Sequence, residues 1–222
     1  KVYRTNFGGD VGLHVAKCLY GIVEVIGGEQ PEKLQDVAEN NRAEWLSAAY
    51  VSGAKAYEED AAAKVRITEI NSAIYSFHAD NDHDSPLAQI YWTCREWSYD
   101  YFKSFYEQIQ VAPFDQYYPE STTAEPGLAA VRSHIGDVFQ ESDGAVVFTP
   151  EGSDHTRVFI TSKGLPTYET KDLGVIMREA QDFPFDQRII MTGNDQGEYM
   201  KVVFAALSAV DAELGAKQMH VL

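Results

Sequence analysis

From Arg157 onward the chain alternates strand and helix with short connections, and this alternation limits the possible folds more than any other feature. Arg157-Val-Phe-Ile-Thr161 and Gln187-Arg-Ile-Ile-Met191 are apolar strand runs, and a third run starts at Gln218 and reaches Leu222. Between them lie a helix capped by Thr167 and running to about Ala180, and another from about Gln196 to Leu214. Strands separated by helices pair in parallel, because a parallel return needs a crossover of a dozen residues or more. A strand at Val2–Phe7 and a helix over Val11–Val25 are expected to belong to the same sheet.

Between these two parts the pattern is helical throughout. Residues 43–77 form one long helical pattern with Gly53 as its single glycine, and a second runs from Pro86 to about Gln110. The second carries Tyr91, Trp92, Trp97, Tyr99, Tyr101, Phe102, Phe105 and Tyr106, a spacing that buries aromatic rings in a helical core. Base stacking is the other use of such a stripe, and the acidity of the chain speaks against it. Past Pro113, Phe114–Tyr118 alternates as a short strand, and Ala124–Ile135 reads as a helix with Pro126 in its first turn. Gly144–Phe148 and Arg157–Thr161, joined by Pro150-Glu-Gly-Ser-Asp154, read as a β-hairpin. The expected fold is therefore α/β: an incomplete Rossmann-type parallel sheet with a large helical insertion and a small β-hairpin. Residues 1–28 supply the first strand and helix of the core, 29–112 the insertion, and 113–222 the second part of the core with the hairpin.

Charge narrows the function. Thirty-four acidic against 18 basic residues leave a net charge of −16 over 222 residues. Such a chain repels phosphate backbones and anionic bilayers, so neither DNA nor a membrane is an expected partner. No apolar run approaches about 18 residues, and the opening residues are expected to be neither a signal nor a transit sequence. Cys18 and Cys94 stand far apart without metal-site spacing, which suits reduced thiols in a cytoplasmic protein. Opening and closing on strand patterns, the chain is expected to be a piece of something longer.

Two stretches could carry chemistry. In Gly164-Leu-Pro-Thr-Tyr168-Glu-Thr-Lys-Asp172, Tyr168 and Asp172 are four apart at a helix start and share a face. A carboxylate with a phenol suits a planar guanidinium, one accepting paired N–H bonds and the other adding a third. Equally, aspartate in a first turn is common on exposed helices, and on spacing alone that plainer account is the more frequent. In Ile189-Ile-Met-Thr-Gly193-Asn-Asp-Gln196, a strand passes through glycine into a helix, where open α/β sheets place anionic ligands. Any doubly wound sheet also contains such turns without a ligand. His78, Asp80, Asp82, His83 and Asp84 match no metal-ligand spacing and read as a solvated linker. His14 follows the Gly8-Gly9 turn and is either in a ligand crevice or structural; His134 and His155 form no interpretable arrangement. No pattern for a protein nucleophile is present, so no catalytic residue and no metal ligand is assigned.

With these blocks in view, the sequence resembles the catalytic domain of arginyl-tRNA synthetases, class I aminoacyl-tRNA synthetases. Asn6-Phe-Gly-Gly-Asp-Val-Gly-Leu-His-Val-Ala-Lys17, Tyr117-Tyr-Pro-Glu-Ser121, Glu141-Ser-Asp-Gly-Ala145, Gly164–Asp172 and Gly193–Gln196 carry the resemblance in the family's order. It implies arginine binding by Tyr168, Asp172 and Gln196, and ATP binding near Gly193, Asn194 and Asp195. His220 and Val221 match the segment before the adenine-contacting backbone. It implies L-arginine and ATP as substrates, Mg2+ arriving with ATP, no tightly bound cofactor, and tRNA-Arg as a partner of the intact enzyme only. The family's HIGH signature and KMSKS-type loop are not in this sequence; Leu13-His14-Val15-Ala16 is not a HIGH box. The chain by itself is therefore expected not to aminoacylate. A non-catalytic arginine-binding module, or a structural piece without a ligand, stays open beside it.

Overall fold

The strand expected over Val2–Phe7 is short, β1 (Thr5–Gly8), and the Gly8-Gly9 turn leads into α1 (Leu13–Ile26). A computed structural model describes residues 1–152 and 156–221 of the chain. The chain divides into two units, one made of Lys1–Phe7 with Tyr118–Leu222, the other of Gly8–Tyr117.

The Gly8–Tyr117 unit is helical. After two 3-10 turns come α2 (Arg42–Glu59), α3 (Ala61–Ala79) and α4 (Pro86–Gln108). The single long helix expected over 43–77 is thus two helices. At Asp60 the backbone is extended, and the carboxylate accepts from the Ala62 and Ala63 N–H groups at 2.7 and 3.2 Å, capping the second helix. The first helix also departs from expectation. Ala16, Leu19 and Ile22 on α1 share one core with Ala49, Ile67, Ile70, Ile74, Ile90 and Trp97, so α1 belongs with the helices rather than with a sheet. Gly21 and Gly53 let α1 and α2 meet backbone to backbone: a Cβ at Gly53 would overlap the Lys17 carbonyl, and one at Gly21 the Ala49 carbonyl.

The other unit continues with β2 (Gln116–Pro119), whose first two residues lie before the division, and α5 (Glu120–Ser133). Then follow β3 (Gln140–Ser142), β4 (Ala145–Phe148), β5 (Arg157–Ile160) and α6 (Tyr168–Asp182). The chain goes on through β6 (Arg188–Met191), α7 (Gly197–Val210), α8 (Ala212–Ala216) and β7 (Gln218–Val221). Helix α5 starts earlier than expected, at Glu120, which places Pro126 in its interior. Strand β3 is an addition: Asp143 and Gly144, both with positive φ, turn it back onto β4 as Asp-Gly turns do. The expected hairpin between β4 and β5 is present with a register shift at Val146/Val147, and its residues 153–155, including His155, lie outside the described residues.

The fold is mixed α/β with a partial Rossmann-like character, less sheet-rich than the alternation suggested. Strands β6 and β7 pair in parallel as a two-stranded sheet, in register from Arg188↔Gln218 to Met191↔Val221. Strand β5 is not in it; it is the edge of an antiparallel β3-β4-β5 sheet. Nor is β1, which pairs with β2. The apolar run at Gln187–Met191 is half-covered: Ile189 and Met191 are 54% and 78% exposed. The core lies instead where α5, α6 and α7 meet the antiparallel sheet, around Phe139, Phe159, Leu173, Ile176, Val203 and Leu207.

Candidate functional site

Helix α6 is the most buried helix of its unit and also the most charged inside. Glu169, Thr170, Lys171, Asp172, Leu173, Gly174, Val175, Ile176 and Glu179 are all buried. Two glycines make this possible: a Cβ on Gly127 would overlap the Thr170 carbonyl, and one on Gly174 the Thr123 carbonyl, so α5 and α6 touch along their backbones. Charges enclosed by that contact must be paired. Lys171 Nζ donates to Glu120, which opens α5. Arg188 Nε on β6 donates to Glu179, whose other oxygen accepts from Thr5 Oγ1 at 2.5 Å. Arg157 Nη1 lies 3.9 Å from Glu169.

Asp172 stands inside this network with a different kind of partner, the hydroxyl of Tyr199, which donates to its Oδ2. Burial pushes the Asp172 carboxyl up to about 6; the Tyr199 hydrogen bond and Arg188 oppose the rise, and Glu120 and Glu169 add to it. The Tyr199 phenol moves up as well, by burial first and the Asp172 charge second. One turn earlier, Tyr168 remains 45% exposed, with Lys171 Nζ 4.5 Å from its ring centre. The sequence-derived pair thus comprises a buried carboxylate and a phenol at the surface of the same helix. Thr167, expected to cap the helix, makes no side-chain cap; its Oγ1 donates to the Val158 carbonyl at 2.8 Å and binds the helix start to β5.

Gln196 lies in the 3-10 turn Asn194–Gln196 before α7, half-buried, with its Nε2 donating to Asp195 Oδ2 at 3.2 Å. Tyr199 follows in the first turn of α7, so the Gln196 turn and the Asp172 partner belong to one helix start. Gly193, Asn194 and Asp195 are exposed, and Gly193 has the extended backbone (φ −68°) that any residue adopts. Its missing side chain leaves room for Asp195 Oδ1, which a Cβ would meet at 2.8 Å. His220 turns onto the same segment, its Nε2 2.7 Å from Thr192 Oγ1, while Val221 is 41% exposed. Tyr199, Arg188 and Glu120 went unread in the sequence; a tyrosine three residues after Gln196, in the first turn of the next helix, was the available signal.

The remaining candidates are structural or stand apart. His78 Nε2 lies 2.7 Å from the Tyr91 hydroxyl, and burial lowers its pKa. Asp82 Oδ1 accepts from the Asp84 and Ser85 N–H groups, and the Asp82 carbonyl accepts from Trp92 Nε1. His134 Nδ1 lies 2.9 Å from the Ala130 carbonyl. Among the described residues, no group of three or more His, Cys, Asp or Glu side chains gathers to hold a metal, and no helix is long and apolar enough to cross a membrane. His14 lies with Tyr50, at 2.9 Å, on a cavity of about 380 Å³ inside the helical unit.

The described residues thus bring a buried carboxylate close to the start of α7, on a partial Rossmann-like fold. The chain belongs to the family described as class I (R) tRNA synthetases, catalytic domain, whose sequence model matches residues 1–220. It is 27% identical over 238 residues to an arginine–tRNA ligase of Bacteroides fragilis (strain YCH46), covering 99% of this chain and 38% of that protein. An arginine–tRNA ligase of Treponema pallidum is also 27% identical, with 99% and 36% covered. Among solved structures, the arginyl-tRNA synthetase of Plasmodium falciparum superposes with a TM-score of 0.69 at 17% identity, covering 99% of this chain and 35% of that one. That of Thermus thermophilus gives 0.59 at 15%, with 100% and 41% covered. The chain therefore spans little more than a third of the curated relatives it matches.

Proposed function

We propose that this chain is the arginine-recognising part of an arginine–tRNA ligase catalytic domain. The observation that carries the proposal is Asp172: a carboxylate buried on α6, one turn from the half-exposed phenol of Tyr168, in a family member whose relatives are arginine–tRNA ligases. A guanidinium offers a planar fork of N–H donors to such a carboxylate, with Tyr168 and Gln196 as further hydrogen-bond partners. Lysine, a point charge without the fork, would leave part of the buried acceptor unsatisfied and be rejected.

The reaction of the whole enzyme would be in-line attack of the arginine carboxylate on the α-phosphorus of ATP. Arginyl-adenylate and pyrophosphate form, and the aminoacyl group then passes to the terminal ribose of tRNA-Arg. No protein nucleophile takes part; these residues contribute positioning and charge. The exposed turn Gly193-Asn194-Asp195, with His220 and Val221 on the neighbouring strand, would lie near the nucleotide. Mg2+ would enter only as the counter-ion of the ATP phosphates. Translation places such an enzyme in the cytoplasm. Since neither the HIGH nor the KMSKS element occurs in these 222 residues, the chain alone is expected to bind arginine without completing the reaction.

The test is the thermal midpoint with L-arginine, L-lysine or ATP in large excess. A ligand at about 100 times its dissociation constant adds about 2.7 kcal/mol, a readily visible shift. Stabilisation by arginine and not by lysine supports the proposal, and its loss in Asp172→Asn places it on this carboxylate. An Asp172→Asn variant that binds arginine as well as the parent sinks it.

A further inference from the structure

We infer that Tyr199 is a positioning residue for the guanidinium site: its hydroxyl holds Oδ2 of Asp172 and thereby keeps the carboxylate fixed and ionised for a cationic ligand. The inference rests on the proposed arginine site and extends it to a residue on a different helix, 27 positions away.

The case starts from what surrounds Asp172. The other buried carboxylates of this unit are neutralised by cations: Glu120 by Lys171, Glu179 by Arg188, and Glu169 faces Arg157 at 3.9 Å. Glu179 also accepts from the Thr5 hydroxyl, but among these described carboxylates only Asp172 has a hydroxyl donor without an ion pair beside it. A cation in that place would satisfy the carboxylate permanently and leave nothing for a ligand. Bare burial would have the opposite fault, since a desolvated carboxylate beside Glu120 and Glu169 takes up a proton and ceases to attract a guanidinium. A phenol avoids both: it donates one hydrogen bond to the charged form and occupies one of about four lone-pair positions. The charge stays available for a ligand, and its orientation is set by a rigid ring. The charged and titratable groups that act on Asp172 are Tyr199 from α7, Arg188 from β6, Glu120 from α5 and Glu169 from its own helix.

The experiment follows the Asp172 carboxyl by 13C NMR, assigned through Asp172→Asn, in the parent chain and in Tyr199→Phe, together with arginine affinity across pH. Loss of a donor to the charged form should raise the Asp172 titration midpoint. It should also weaken arginine at neutral pH by about tenfold, as expected for a hydrogen bond to a charged group, and move the loss of affinity to higher pH. Tyr199 carrying a ring-fluorinated, more acidic phenol packs as the parent does and should move the midpoint the other way, which keeps the test open should Tyr199→Phe not fold. If Asp172→Asn abolishes arginine binding while Tyr199→Phe keeps both parent affinity and parent midpoint, Tyr199 only packs and the inference fails. If Asp172→Asn leaves arginine binding intact, or the parent binds none, the arginine site itself fails and takes the inference with it.

Discussion

Both units bring two helices together through a pair of glycines, yet they enclose opposite chemistry. Between α1 and α2, Gly21 and Gly53 accompany a core of Leu19, Ile22, Ile67 and Ile74, and the buried charge, Asp10, is neutralised by Arg95 Nη2 at 2.9 Å. Between α5 and α6, Gly127 and Gly174 accompany Glu120, Glu169, Lys171, Asp172 and Glu179, all buried. Close backbone contact is thus a neutral device: filled with hydrocarbon it builds a scaffold, and filled with ionised groups it encloses a network of buried charge pairs. The second use costs stability, because each enclosed charge must regain in pairing what it lost in hydration.

Breaking the shared device should have the largest effect. Gly53→Ala and Gly127→Ala each push a methyl into a backbone carbonyl, and each should cost about 3 kcal/mol or more by calorimetry or denaturant titration. Only Gly127→Ala should also remove the stabilisation by arginine; equal retention in both variants would erase the functional contrast. Next comes Lys171→Met, which takes the ammonium partner away from the buried Glu120. It should cost about 3–5 kcal/mol at neutral pH, with most of the loss recovered in the Lys171→Met/Glu120→Leu double variant. A double variant no better than the single one would show that the pair does not act as a unit.

A smaller effect has the opposite sign. Asp172 has a carboxyl pushed up to about 6, above its ordinary 3.8, so the folded state holds its proton more tightly than the unfolded state. The stability from that proton is complete below about pH 4 and is lost as pH rises through 6. Asp172→Asn should therefore be more stable than the parent at pH 7–8, on the order of 2 kcal/mol, with the gap closing toward pH 4. Parallel melting curves across pH check this, and a variant less stable than the parent at pH 8 would contradict it. Smallest is the chemistry of the scaffold thiols. Burial pushes Cys18 and Cys94 up to about 12, so native alkylation should run about a thousandfold slower than for a free cysteine. Rapid labelling without unfolding would show that the helical core is looser than its packing implies.

What could be read from the sequence was local. The pairing of β4 with β5, the helix beginning near Tyr168 and the turn at Gly193 all depend on residues a few positions apart, and all are present. So does the face shared by Tyr168 and Asp172. The break at Asp60 escaped notice because strong helix formers flank it, and one side chain accepting two N–H groups decides the matter. The partners of the site were illegible for another reason. Tyr199 and Asp172, or Glu120 and Lys171, are joined only after α5, α6 and α7 have packed. Spacing ties Tyr199 to Gln196 but does not tie it to Asp172, 27 positions away. The placement of α1 with the helices followed the same rule: its stripe demanded cover, and tertiary packing chose the covering.

The uncovered side of the β6–β7 pair has a consequence for handling the molecule. Ile189, Met191, Met219 and Val221 form a small adhesive face on a particle that otherwise carries a charge of −16. Colloidal repulsion and surface stickiness then oppose each other, and dissolved electrolyte decides between them, since salt shortens the reach of the first and leaves the second intact. The chain should stay dispersed in dilute buffer and cluster as salt is added. Light scattering would register that as a growth in particle size, reversible on dialysis.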